Sequence, residues 1–218
     1  MMDNNEKIAQ NFIKEEFSKA KILLIKKGQK STIIQYVIET KAWNDTIIRE
    51  KYIKDSPVLG RKQKICDYVT DQIKNLVKEK RDFRDWHNET IKGLKTNYQM
   101  DCGLAQKLVN MSIKYFYFIE LGYAFLPFEG KISEYQAEFD IPVDSYILKW
   151  ILYNSLLDKI IFEKKKDLSV WTKMADIKIY DILQERAKCL MREIYPGEPL
   201  LIAETKVWSK IKSLKEIM

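Results

Sequence analysis

The chain has 218 residues and sets 38 Lys and Arg against 31 Asp and Glu, a formal charge of +7. Hydrophobic residues make up 46% and aromatic residues 12%, which supplies a core and excludes wholesale disorder. Seven Gly, five Pro and one His speak against a loop-rich β fold, a Gly-rich phosphate loop, and His-based metal or triad chemistry.

Along the chain, helical spacing dominates. Ile8, Phe12, Ile13, Phe17, Ala20, Leu23 and Leu24 form one apolar stripe. It predicts a single helix ending at Lys26-Lys27-Gly28. Ser31 then opens a β-branched segment with Ile33, Ile34, Val37 and Ile38, ahead of Trp43. A strand over 32–38 is one reading; helix is preferred because no partner strand follows. Pro57 and Gly60 mark a loop. Ile65, Tyr68, Val69, Ile73, Leu76 and Val77 predict an amphipathic helix, and a shorter one covers 83–94. His87 follows Trp86 in that charged stretch and reads as structural rather than catalytic.

The centre differs. Residues from about 104 to 120 are apolar around most of a helix circumference, so that helix is expected to be buried. A loop of roughly twenty residues follows, holding Gly122, Pro127, Gly130 and Pro142. Within it, 129–137 is charged and reads as surface. Asp144 opens a further helix with Tyr146, Ile147, Leu148, Trp150, Ile151, Leu152, Leu156 and Leu157. Lys164-Lys165-Lys166 closes it as a solvated, dipole-complementing end. Helices over about 174–194 and 200–215 complete the chain, separated by Pro196-Gly197. The expected fold class is all-α: one compact multi-helix unit over 1–218. It is read as two helical lobes, 1–60 joined with 170–218 and a central lobe over 61–169.

The compartment follows from patterning. No apolar run approaches the ~18 residues of a membrane span. The first six residues are polar, unlike a secretory leader. Cys66, Cys102 and Cys189 are odd in number and far apart, which disfavours a disulfide framework. A cytoplasmic protein with no membrane partner is the expectation.

Three short pieces flank the long loop. Cys102-Gly103-Leu104-Ala105-Gln106-Lys107 is a turn running into the buried helix. Ile141-Pro142-Val143-Asp144-Ser145 is an extended segment that delivers Asp144 to a helix N-terminus. Pro199-Leu200 precedes Glu204 and Trp208, which share a helix face. Each has a plain structural explanation. Asp144 suits an N-cap after Pro142, Lys107 suits the surface of a first turn, and Trp208 suits a core.

Together they resemble the helix-hairpin-helix DNA glycosylase/lyase superfamily. The order is a Gly turn, "AQK", the aromatic "KYFYF", Leu126-Pro127-Phe128, then "IPVDSYIL". The archaeal 8-oxoguanine glycosylase branch (AGOG type) is the nearest in pattern. The resemblance covers about 101–148, with an echo over 199–208. It is reduced to one glycine at the hairpin, carries Glu204 where the branch has Asp, and has a longer Lys107-to-Asp144 interval. The chain lacks the cysteine set of the cluster-bearing branch.

The resemblance implies two lobes around a cleft, and excision of an oxidised purine such as 8-oxoguanine followed by AP-lyase cleavage. Lys107 is implied as the amine that attacks C1′, its charge disfavoured by burial and the helix dipole. Asp144 is implied as the group that stabilises the cationic sugar. Met111, Glu204 and Trp208 are implied to line the base pocket. Gly103, with Arg61, Lys62 and Lys64, is expected to hold DNA phosphates. The implied partner is double-stranded DNA with a flipped damaged base, bound by a monomer without metal or cofactor. The positive surplus is expected to gather around Lys107. The alternative is a catalytically silent nucleic-acid- or partner-binding protein that keeps only the fold.

Overall fold

The computed structural model describes residues 3–48, 58–154 and 177–217. Pro57, Leu156, Leu157, the Lys164–Lys166 run, Met174 and the lobe boundary near residue 170 lie outside the described residues. Those described form α-helices and short helical turns, with no strand among them. The all-α expectation holds. So does the preference for helix over strand at 32–38, where α3 (Lys30–Gln35) runs on into wide π-type turns over Tyr36–Ala42 and Asn44–Ile48.

The N-terminal stripe makes two helices rather than one, α1 (Asn4–Glu16) and α2 (Lys19–Lys26). Phe17 and Ser18 are extended at φ −115° and −62°. Ser18 sits at the N-cap position of α2, and its carbonyl accepts the Lys21 and Ile22 amides. Phe17 meanwhile inserts between the Tyr36 and Tyr115 rings, with centroids 5.1 and 5.8 Å away. An apolar periodicity survives such a break because both pieces face the same core.

A 3-10 turn (Leu59–Arg61) leads into α4 (Lys62–Glu79), and α5 (Phe83–Tyr98) follows. Asp82 caps α5 by accepting the Asp85 amide at 2.9 Å. Gln99 then takes a left-handed conformation, φ 57°, and Met100 N–H reaches back to the Leu94 carbonyl. Asp101 occupies the N-cap position of α6 (Cys102–Tyr123). The α5–α6 turn is therefore built on Gln99. Gly103, expected in that turn, is instead a buried residue of the first turn of α6.

Helix α6 is the axis of the molecule. From Cys102 to Ile119 only Met111 escapes full burial. It packs on α1, α5 and the π-type turns. Gly122 permits the α1 contact: a Cβ there would lie 3.2 Å from the Gln10 backbone nitrogen. Emptying a ring such as Phe116, fully buried here, costs about 3–5 kcal/mol. One continuous apolar core runs from Ala9 to Val207.

The segment over 129–137 is largely exposed, as its charge predicts, and is pinned to the body at two buried positions. Glu120 accepts the Ile132 and Ser133 amides at 2.8 and 2.9 Å. Ile132 and Tyr135 are buried in a 3-10 turn, and the Tyr135 hydroxyl donates to the Leu76 carbonyl. Only these two anchors are hidden in the sequence, because their partners are distant along the chain. Helices α7 (Ser145–Asn154), α8 (Ile177–Ile194) and α9 (Leu200–Ile217) pack against one another, and α9 reaches α1. No described helix is long and apolar enough to cross a membrane.

Candidate active site

Helices α1, α6 and α9, the π-type turns and the start of α7 surround one cleft. It is open to solvent, and its interior leaves about 50 Å³ for water-sized molecules. Its walls include Lys107, Met111, Asp144, Glu204 and Trp208, every residue that the sequence assigns to catalysis and the base pocket. Met111 is one turn after Lys107 on α6, so both point the same way. Lys107 is only 6% exposed, which overturns its reading as a surface lysine.

Asp144 serves two neighbours at once. Its Oδ1 accepts the Tyr146 and Ile147 amides at 2.9 Å each, an N-cap for α7. Its Oδ2 accepts the Trp208 indole Nε1–H at 3.3 Å. The cap explanation and the cleft position are thus both true of one carboxylate. Trp208, partly exposed, is a wall of the cleft and not core.

Sequence reasoning missed the other half of the lining. Lys114 lies two turns after Lys107 on the same face of α6, a spacing that could have found it. Its buried ammonium pairs with the Glu204 carboxylate and sits 4.9 Å from the Phe12 ring centroid. Burial pushes the Glu204 carboxyl up, Lys114 opposes this, and Asp144 adds to the rise. Across the cleft the Tyr115 hydroxyl donates to Asp45, which the π-type turns aim inward, and Lys41 pairs with Glu16 at 2.7 Å. Four carboxylates against two lysines line the cleft, so the positive surplus lies outside this lining.

Arg61, Lys62 and Lys64 are not among the lining residues. They sit where the 3-10 turn meets α4, with Lys62 Nζ 5.7 Å from the Trp43 ring centroid. Gly103 is also outside the lining; its carbonyl accepts the Gln106 side-chain N–H at 2.9 Å. The structure joins the catalytic and base-pocket candidates and leaves the phosphate candidates apart from them.

His87 is wholly buried and lies outside the cleft lining. Its Nε2 lies 2.8 Å from Asn110 Oδ1, and its Nδ1 lies 3.5 Å from Asp140. Asp140 is a buried hub: Arg84 grips it with both terminal nitrogens at 3.1 and 3.2 Å, Lys188 at 2.7 Å, and the Tyr180 hydroxyl donates at 2.8 Å. Burial opposes the charge on Asp140, but His87 once protonated in acid, with Lys188 and Arg84, outweighs it and holds the carboxyl below its ordinary range. Burial dominates at His87 and lowers its pKa, so the ring is neutral at pH 7. Among the described residues no group of His, Cys, Asp and Glu is arranged to hold a metal. No protein-family model, curated protein or solved structure matches the chain.

Proposed function

We propose that the protein is a DNA glycosylase with AP-lyase activity, acting on an oxidised purine such as 8-oxoguanine. The observation that carries this reading is the meeting of Lys107 and Asp144 in one cleft with Met111, Glu204 and Trp208. These five residues come from three motifs separated in sequence, and all five line one cleft. On the same reading, the protein is a monomer with two helical lobes about this cleft, and the α5–α6 turn meets the phosphate backbone.

The chemistry is as follows. A flipped nucleotide enters the cleft and stacks on the Trp208 ring. The Lys107 Nζ forms a bond to C1′, shedding a proton, while the C1′–N bond to the base breaks. The base leaves as an anion and takes a proton. The sugar ring opens to a Schiff base on Nζ, which makes the C2′ proton acidic. Loss of that proton and of the 3′ phosphate nicks the strand. Asp144 faces the positive charge that develops on the sugar, its carboxylate held by three N–H donors. Glu204 and Lys114 present an acceptor and a donor to the edge of the base.

Duplex DNA carrying 8-oxoguanine, treated with protein and borohydride, tests this. The expected result is a covalent protein–DNA adduct that disappears in Lys107→Gln. Absence of an adduct with every oxidised base overturns the reading. Salt-dependent DNA binding that survives in Lys107→Gln and Asp144→Asn, without nicking by the unmodified chain, identifies the non-catalytic binding protein instead.

A further inference from the structure

The strand-like segment that ends in Asp144 has no sheet to hold it. Its backbone is gripped instead by helix side chains. Gln184 of α8, fully buried, treats Ile141 as a β-strand would: its Oε1 accepts the Ile141 amide at 3.0 Å and its Nε2 donates to the Ile141 carbonyl at 2.7 Å. Asn110 of α6 donates to the same carbonyl at 3.2 Å. Pro142 follows, and its ring keeps Ile141 extended. On one side of this grip Asp140 is anchored by Lys188, one turn beyond Gln184 on α8. On the other side stands Asp144.

We infer that Gln184 and Asn110 are positioning residues, which hold Asp144 in register with Lys107 by clasping the Ile141 peptide from α8 and α6. This rests on the glycosylase reading for its effect on rate, but not for its geometry. Asn110 and Lys107 lie one turn apart on the same rigid helix. The helix that carries the amine therefore also fixes the peptide that carries the aspartate. A neutral clasp suits the task, because an ionic one would impose its own charge on the cleft. Neither Gln184 nor Asn110 lines the cleft, so neither can touch substrate.

Gln184→Met keeps the length of the side chain and deletes both hydrogen bonds; Gln184→Glu keeps the acceptor and loses the donor. Two readings decide. The first is single-turnover excision against DNA affinity. A displaced Asp144 slows the chemical step by about 100-fold in Gln184→Met, less in Gln184→Glu, and leaves affinity unchanged. The second is the indole N–H resonance of Trp208, identified by its loss in Trp208→Phe. It moves from its native position when Asp144 shifts, whether or not the protein is an enzyme. A folded Gln184→Met with native excision rate and native Trp208 resonance overturns the inference. Should Gln184→Met not fold, Gln184→Glu decides by the same two readings. A native chain that forms no borohydride adduct removes the glycosylase reading, and the resonance still decides the clasp.

Discussion

Trp208 and Asp144 are joined across the cleft, indole Nε1 to carboxylate Oδ2 at 3.3 Å, while the other carboxylate oxygen caps α7. One side chain thus begins a helix and lines the cleft it shares with Lys107. Substitutions can separate the two tasks, because asparagine caps a helix about as well as aspartate and alanine does not.

Asp144→Asn keeps the cap and turns an NH2 group toward the indole N–H. Excision is expected to fall by about 10²–10⁴-fold, with only a small change in melting temperature. Asp144→Ala loses the same activity and a further ~1 kcal/mol of stability through the missing cap. Single-turnover rates and urea denaturation of both variants check this. Full activity in Asp144→Asn would make the residue a cap and nothing more.

Lys114 and Glu204 form an ion pair whose side chains are only 5% and 3% exposed. Breaking such a pair strands a buried charge, whereas replacing both partners with apolar groups need not. Lys114→Met alone is expected to cost about 3–5 kcal/mol in urea denaturation. Combining it with Glu204→Leu should recover most of that loss. Equal losses in the single and double variants would show that packing, not charge, sets the cost.

The apolar part of the fold was legible because burial writes itself into helical period. The Ile65 to Val77 stripe and the near-continuous apolar face of α6 predicted their helices. The Lys107–Asp144–Trp208 set was legible only as a pattern of motifs, and the three residues line one cleft. What stayed hidden were polar contacts between distant residues. Asn110 and Gln184 look like ordinary surface polars until the Ile141 peptide is laid against them. Gln99 took over the expected hairpin glycine because a lone left-handed residue at a helix end is a tolerable strain. The Phe17–Ser18 break is invisible in a stripe that resumes on the same side.

Gly130 gives a check on the docked segment that leads to Asp144. Its φ is +99°, and a Cβ there would lie 2.1 Å from Val77 Cγ1. Gly130→Ala is expected to destabilise by about 1–3 kcal/mol, and to expose residues 129–138 to proteolysis before the rest of the chain. Glu129→Ala, at an exposed neighbouring position, should do neither. Unchanged cleavage in Gly130→Ala would mean that the Glu120 and Tyr135 hydrogen bonds hold the segment unaided.

His87 sets the acid sensitivity of the fold. Asn110 spends its NH2 group on neighbours that include the Ile141 carbonyl, so its oxygen must accept, and His87 Nε2 carries the proton. His87 Nδ1 then turns a lone pair toward Asp140. Burial lowers the pKa of the ring below its ordinary value; Asp140 resists this, and Arg84 and Lys188 reinforce it. A folded pKa below the unfolded one means that the unfolded chain takes up the proton first. The His87 contribution to stability is therefore complete above about pH 6.5 and is lost as the pH falls toward the folded value. Asp140, depressed in its turn, adds a second loss in the acid range below its ordinary carboxylate value. Urea midpoints from about pH 8 to about pH 5 should decline in the native chain. In His87→Gln, whose amide can still donate to Asn110, the decline over that interval should vanish while the lower one remains. A native slope in His87→Gln would place the titrating group elsewhere.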